Sequence, residues 1–316
     1  MSWFARSTAT NTARLTEQPL LDADDFASLA AHAADLARAR VQREVHDHHA
    51  GDWPSAWLGR GLDFEEARPY SPGDDTRDMD WRTTARLGHP FVKTYREERQ
   101  AMLHLVLDRG ATMRFGTRRR LKLAQAARVA ALAAFAASMR SIAVGATLWE
   151  AMDADLVLAP RHDRAGILTM LQASAAAAPP LPRNAGETTR DADRLHRLAE
   201  LPRGTRLLLA SDFTWLDESH ERPLALLAER VDLLAVRIID PAERALPDFG
   251  LARVHEIGGD NVRWLDTGSV TARAEHAAAF VLRSEQIEAL LARTGARTLE
   301  IGSEVDDIAL AFHGHG

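Results

Sequence analysis

Apolar residues fall into distinct patterns along this chain, and each pattern predicts a different element. Phe26, Leu29, Ala30, Ala33, Leu36, Ala37 and Val41 recur at helical spacing behind Asp22 and Asp24, either of which can cap a helix. Met102–Leu107 and Thr205–Ser211 are nearly unbroken apolar runs, as strands buried on both faces require. Leu121–Met139 is Ala-rich and interrupted only by polar residues such as Gln125 and Arg128, which predicts a buried helix. Further strands are predicted at Ile142–Trp149 and Asp155–Ala159. Only Glu150–Ala154 separates these two, so they read as a hairpin. Helices follow at Arg161–Ala177, up to Leu198, and at Arg222–Arg230, with a strand at Val231–Ile239. A second hairpin joins Ala252–Ile257 to Val262–Asp266 through Gly258-Gly259-Asp260-Asn261. A helix at Thr271–Ala292, a strand at Thr298–Ile301 and a short helix at Val305–Phe312 close the pattern. Strands alternating with helices of this length predict an α/β fold of Rossmann type: a mostly parallel sheet with helices on both faces.

Two stretches lack such periodicity. Residues 1–20 are polar and Thr-rich and read as a disordered tail. Residues 59–98 are expected to be extended and turning, punctuated by Pro69, Ser71-Pro72-Gly73 and Gly88-His89-Pro90, with a short strand around Phe91–Tyr95. The expected organisation is therefore the tail, a helix plus extended segment over 21–98 packed on the core, and an α/β domain over 99–316.

Composition narrows the function classes. Lys+Arg 39 against Asp+Glu 45 gives a net charge of −6, which argues against a nucleic-acid binder. No cysteine is present, which excludes disulfides, a thiol nucleophile and cysteine-based metal sites and fits a cytoplasmic location. No segment reaches the ~18 uninterrupted apolar residues of a membrane span, so the chain is not expected to be integral to a membrane. His46-Asp47-His48-His49 matches no standard zinc spacing and reads as a solvated helix end.

Candidate chemistry centres on two strands that end in aspartate, Asp108 and Asp212. In a parallel sheet with both strands central, both carboxylates reach one edge, where open α/β sheets place their ligands. A D-x-S-x-S spacing from Asp108 would give a divalent cation such as Mg²⁺ one carboxylate and two hydroxyls. This is the metal-ion-dependent adhesion site of von Willebrand factor A domains. Here Gly110 replaces the first hydroxyl, Thr112 keeps the second, Thr188 or Thr189 offers a loop hydroxyl, and Asp212 supplies the far carboxylate. An EF-hand reading of Asp74, Thr76, Asp78 and Asp80 fails, because Met79 stands where glycine is needed and Ala85 where glutamate is needed. Those acids are expected to pair with Arg68, Arg77, Arg82 and Arg86 around Trp81, either as a structural network or as a partner-binding surface.

The run Gly59–Arg86 followed by the Asp108 strand resembles the family called domain of unknown function 58. Matching residues are Gly59, Gly61, Phe64, Arg68, Tyr70, Pro72, Gly73, Asp74, Asp75, Arg77, Asp80, Trp81, Ala85 and Arg86. Ser211-Asp212-Phe213, Asp240–Gly250 and Val262–Thr267 also resemble it. The resemblance implies a von Willebrand A-like domain and a non-catalytic adaptor or chaperone-like partner of a MoxR-type AAA+ ATPase, acting on a protein client. On the partner-binding reading of the segment, as opposed to the structural one, the residues that carry it are Arg68, Tyr70, Asp74, Asp75, Arg77, Asp80, Trp81 and Arg86. The alternative is a metal-dependent hydrolase at the Asp108/Asp212 edge, with His104 or His162 as base. No nucleophile elbow, P-loop or H-E-x-x-H motif accompanies it.

Overall fold

The computed structural model describes residues 19–44, 66–71, 79–94, 102–151, 154–177, 191–255 and 262–312. They divide into a smaller unit within residues 60–101 and a larger one made of the rest.

In the smaller unit, β1 (Glu66–Pro69) pairs antiparallel with β2 (Phe91–Thr94), with Pro69 opposite Phe91. Between them lies α2 (Trp81–Leu87), which the sequence pattern did not predict. Helical periodicity registers a buried face, and α2 has no buried residue. Its ends carry the signal instead. Asp80 caps the first turn through the amides of Arg82 and Thr83, and Gly88 closes it in the left-handed region at φ 74°.

The larger unit opens with α1 (Ala23–Glu44). It continues through β3 (Met102–Arg109), α3 (Lys122–Ser138), β4 (Ala143–Glu150), β5 (Leu156–Arg161) and α4 (Arg164–Ser174). Then come α5 (Asp191–Leu198), β6 (Arg206–Ser211), α6 (Glu221–Ala228), β7 (Asp232–Ile239) and α7 (Pro241–Arg244). It ends with β8 (Leu251–His255), β9 (Val262–Asp266), α8 (Val270–Arg293), β10 (Arg297–Gly302) and α9 (Ile308–Ala311). Six strands form one sheet in the order β10-β7-β6-β3-β4-β5. All neighbours are parallel except β4 and β5, the hairpin expected from the short connection. The second hairpin, β8 with β9, stands as its own antiparallel sheet.

Alternation along the central strands feeds two cores. Val106, Leu207, Leu209, Leu233 and Ala235 join Trp149, Leu224, Leu227, Ile287, Leu290 and Leu291 from the surrounding elements. On the opposite sheet face lies α3, buried from Lys122 to Ala137. A helix apolar nearly all round needs cover on more than one side. The sheet supplies one cover. The other is α1, which buries Leu29, Ala33 and Leu36 and sets Phe26 edge-on to Phe135, with centroids 6.5 Å apart. The amide of Leu20 donates to the carbonyl of Ala175 at 2.7 Å and ties the start of this segment to the end of α4.

Candidate functional site at the sheet switch point

The chain leaves β3 toward β4 on one side and leaves β6 toward β7 on the other, although β3 and β6 are neighbours. Such a reversal at the carboxyl ends of two strands is the place where open α/β sheets bind ligands. Asp108 and Asp212 meet there. Leu107 registers with Ala210, so Asp108 ends beside Ser211.

Ser211 is the hub. Its hydroxyl donates to Asp108 Oδ2 at 2.6 Å and accepts from the Phe213 amide and from Trp215 Nε1, both at 3.0 Å. To turn the chain this tightly, Phe213 adopts φ 56°, a left-handed conformation that costs a bulky residue on the order of 1–2 kcal/mol. Its complete burial offsets that cost. Asp108 Oδ1 accepts from the Gly110 amide at 2.8 Å. Trp149, the register partner of Asp108, meets Trp215 edge-on at 5.7 Å and walls this end of the sheet with apolar surface. The Arg194 guanidinium lies over Trp149, 5.3 Å from the ring centroid, and pairs with Asp155 at 2.8 Å. Burial, and then the neighbouring Asp212 charge, push the Asp108 carboxyl up to about 6.

Asp212 has the opposite fate. Its Oδ1 accepts from the Thr214 amide at 3.0 Å and the Thr214 hydroxyl at 2.8 Å. Its Oδ2 accepts from Lys122 Nζ at 2.8 Å, and the same ammonium reaches Glu243 Oε1 at 2.5 Å. Burial raises the Asp212 carboxyl, but the Lys122 charge outweighs it and holds the group below the usual range. Lys122 stays protonated. Burial alone would lower it, yet Asp212 and Glu243 raise it. A third strand-end acid, Asp240 after β7, accepts from the Thr117 amide at 2.9 Å, the Thr117 hydroxyl and the Ser303 hydroxyl at 2.8 Å. It also caps α7 and takes part in a capping box with Glu243, which sets that glutamate in front of Lys122.

Sequence reasoning missed Lys122, Glu243, Ser211 and Asp240 as site residues. Two signals were present. A lysine opens an apolar helix, where the helix dipole favours acids, and Asp240-Pro241-Ala242-Glu243 has capping-box spacing.

Of the four expected metal ligands, Asp108, Thr112 and Asp212 come together, and Thr188 lies outside the described residues. Thr112 Oγ1 lies 3.3 Å from Thr214 Oγ1. The described oxygens do not fit a Mg²⁺ ion, which wants a near-complete octahedral oxygen shell. Both oxygens of each aspartate already accept from protein donors, and one donor is itself a cation. At Gly110, Asp108 Oδ1 lies 2.9 Å from where a Cβ would stand, so a hydroxyl-bearing residue there would displace the carboxylate. Among the described residues, no three His, Cys, Asp or Glu side chains form a metal-binding group.

The two candidate bases sit elsewhere. His104 is mid-strand and buried, with Nε2 2.8 Å from Thr147 Oγ1, and burial lowers it to about 4. His162 follows antiparallel β5, at the sheet edge opposite Asp108. Of the expected partner-binding residues, Asp74, Asp75 and Arg77 lie outside the described residues. Arg68 falls in β1 opposite Val92. Tyr70 is half-buried, with its amide on the Pro90 carbonyl at 2.8 Å. Asp80 caps α2, Arg86 sits in its last turn, and Trp81 is 67% exposed.

Comparisons with known proteins bear on this geometry. The model of the family described as "Protein of unknown function DUF58" matches residues 66–286. Uncharacterized protein Rv1480 of Mycobacterium tuberculosis and uncharacterized protein Mb1516 of Mycobacterium bovis are similar, each 34% identical over 219 residues. The match covers 67% of this chain, and the chain spans 65% of the length of these curated relatives. Among solved structures, the conserved hypothetical protein BatB from Bacteroides thetaiotaomicron is 12% identical, with a TM-score of 0.40 over 67% of this chain and 95% of that one. An aerotolerance-related membrane protein from Bacteroides fragilis is also 12% identical, with a TM-score of 0.38 over 67% of this chain and 94% of that one. No helix among the described residues is long and apolar enough to cross a membrane. The family match runs from β1 through both switch-point aspartates and into α8, so the chain belongs to the DUF58 family of proteins of unknown function.

Proposed function

We propose that the chain is a non-catalytic, cytoplasmic protein-binding module with a von Willebrand A-like role, an adaptor that presents a protein client to a MoxR-type AAA+ ATPase. The observation that carries this reading is the β8–β9 hairpin. Trp264 is 66% exposed there, on the same face as exposed Leu251, with Phe249 and Val270 exposed at the hairpin's ends. Exposed apolar clusters rimmed by charge mark interaction surfaces, and tryptophan is the residue most enriched at binding hot spots. The hairpin is anchored at its base by hydrogen bonds. The Thr267 hydroxyl donates to the Gly250 carbonyl at 2.7 Å, and Arg273 donates to the Thr267 carbonyl at 2.5 Å. A rigid scaffold presenting apolar side chains loses little entropy on binding. Among the described residues, the oxygens of the switch-point acids are engaged by protein donors and no histidine bonds to them, which favours binding over hydrolysis.

The test is capture of a MoxR-type ATPase from the same organism, with and without nucleotide, by the wild type and by Trp264→Ala. Wild-type capture weakened about thirtyfold by the substitution is the expected result, the scale of a hot-spot tryptophan. Equal capture by both, or Mg²⁺-dependent phosphatase or esterase turnover lost in Asp108→Ala, would overturn the reading.

A further inference from the structure

The geometry points to Lys122 as a built-in cation: its ammonium group stands in for the divalent ion of a D-x-S-x-S site, so that this sheet edge is metal-independent. The inference does not rest on the ATPase reading, and its test uses the purified chain alone.

Three features converge on it. First, the Lys122 side chain is fully buried at the first residue of α3, where the helix dipole disfavours a cation. Removing an ammonium from water is costly, so its place there demands close, fixed counter-charges. It has two, Asp212 Oδ2 at 2.8 Å and Glu243 Oε1 at 2.5 Å. Both are fixed in turn, Asp212 by Thr214 and Glu243 by its bond to the Asp240 amide at 2.8 Å. Second, the position that would contribute the first hydroxyl is Gly110, and Asp108 Oδ1 has turned onto its amide. Third, the Thr214 hydroxyl gives its one proton to Asp212, and the Thr112 hydroxyl lies 3.3 Å from it, placed to donate to the Thr214 oxygen. All four carboxylate oxygens of Asp108 and Asp212 are thus directed at N–H, O–H or ammonium donors.

Charge explains the division of labour. A divalent ion could neutralise Asp108 and Asp212 together. One ammonium neutralises Asp212 and shares Glu243, which leaves Asp108 to two neutral donors, Ser211 and Gly110. A divalent ion arriving beside Asp212 would meet the Lys122 charge at hydrogen-bond range.

Mn²⁺ titration followed by the electron paramagnetic resonance of the free ion, with thermal unfolding alongside, tests the inference. Wild type is expected to leave the Mn²⁺ signal unchanged and to unfold at the same temperature in EDTA. Lys122→Ala frees two carboxylates and is expected to bind Mn²⁺ roughly tenfold or more tightly than wild type, with its unfolding temperature rising as Mn²⁺ is added. Saturable Mn²⁺ binding by the wild type that Asp212→Asn abolishes would overturn the inference, as would a folded Lys122→Ala with no gain in Mn²⁺ affinity. If Lys122→Ala does not fold, the comparison of wild type with Asp212→Asn decides alone: saturable binding lost in the variant overturns the inference, and no binding by the wild type upholds it.

Discussion

Asp108 sets a pH dependence of its own. Its carboxyl moves from an ordinary 3.8 to about 6 in the folded chain, chiefly by burial. A folded-state value above the unfolded one means the folded state holds the proton more tightly. This group's share of stability is therefore greatest below its unfolded value and is lost as pH rises through its folded value. Asp212 runs the other way: its stabilising share is present at neutral pH and is lost only as pH falls into the acid range. Asp108→Asn removes the first effect and leaves the second. The stability of Asp108→Asn relative to wild type should therefore rise by about 2–3 kcal/mol between pH 4 and pH 7, as read by urea unfolding across that range. A difference that stays flat with pH would mean that Asp108 titrates normally. At this scale the sequence disclosed the two aspartates because each ends an apolar run. It did not disclose Lys122, whose partner Asp212 is 90 positions away and becomes a neighbour only when α3 crosses the sheet end.

Elements report their ends as much as their faces. Helix α3 stops at a tight turn where Ser141 takes φ 56° and is exposed, so β4 can begin two residues later. An exposed residue in the left-handed region is strained unless it is glycine. Ser141→Gly should raise stability by about 0.5–1 kcal/mol, with the midpoint of urea unfolding moving and its slope unchanged. Destabilisation would mean that the added freedom of the unfolded chain outweighs the relieved strain. Hairpins and buried helices were legible because a short connection or a continuous apolar run leaves few alternatives. Helix α2 was not, because it buries nothing and its identity rests on Asp80 and Gly88. Strand β1 was missed for a related reason: four residues ending in Pro69 carry too little periodicity to register.

At the scale of the larger unit, α1 is a cover for a helix that has no polar face of its own. Its segment buries Leu20, Leu21, Leu29, Ala33 and Leu36. Each large apolar side chain so placed contributes about 1.5–3 kcal/mol. A chain lacking residues 1–44 should expose the outer side of α3, bind a hydrophobic dye and unfold at markedly lower urea. Wild-type stability in that truncation would show that α3 needs no second cover.

The sequence by itself determined the class of the fold, the identity of most strands and helices, the family and the two strand-end aspartates. Each of these is local: a period, a cap, a turn or a motif within a few residues. Tertiary structure alone decided what surrounds those aspartates. Placing β6 beside β3 created the switch point, turned Ser211 onto Asp108 and Lys122 onto Asp212, and so pushed two similar carboxyls in opposite directions. Electrostatics in a dry site depends on the distance to charges from remote segments and on lost water, and neither is written in the local pattern.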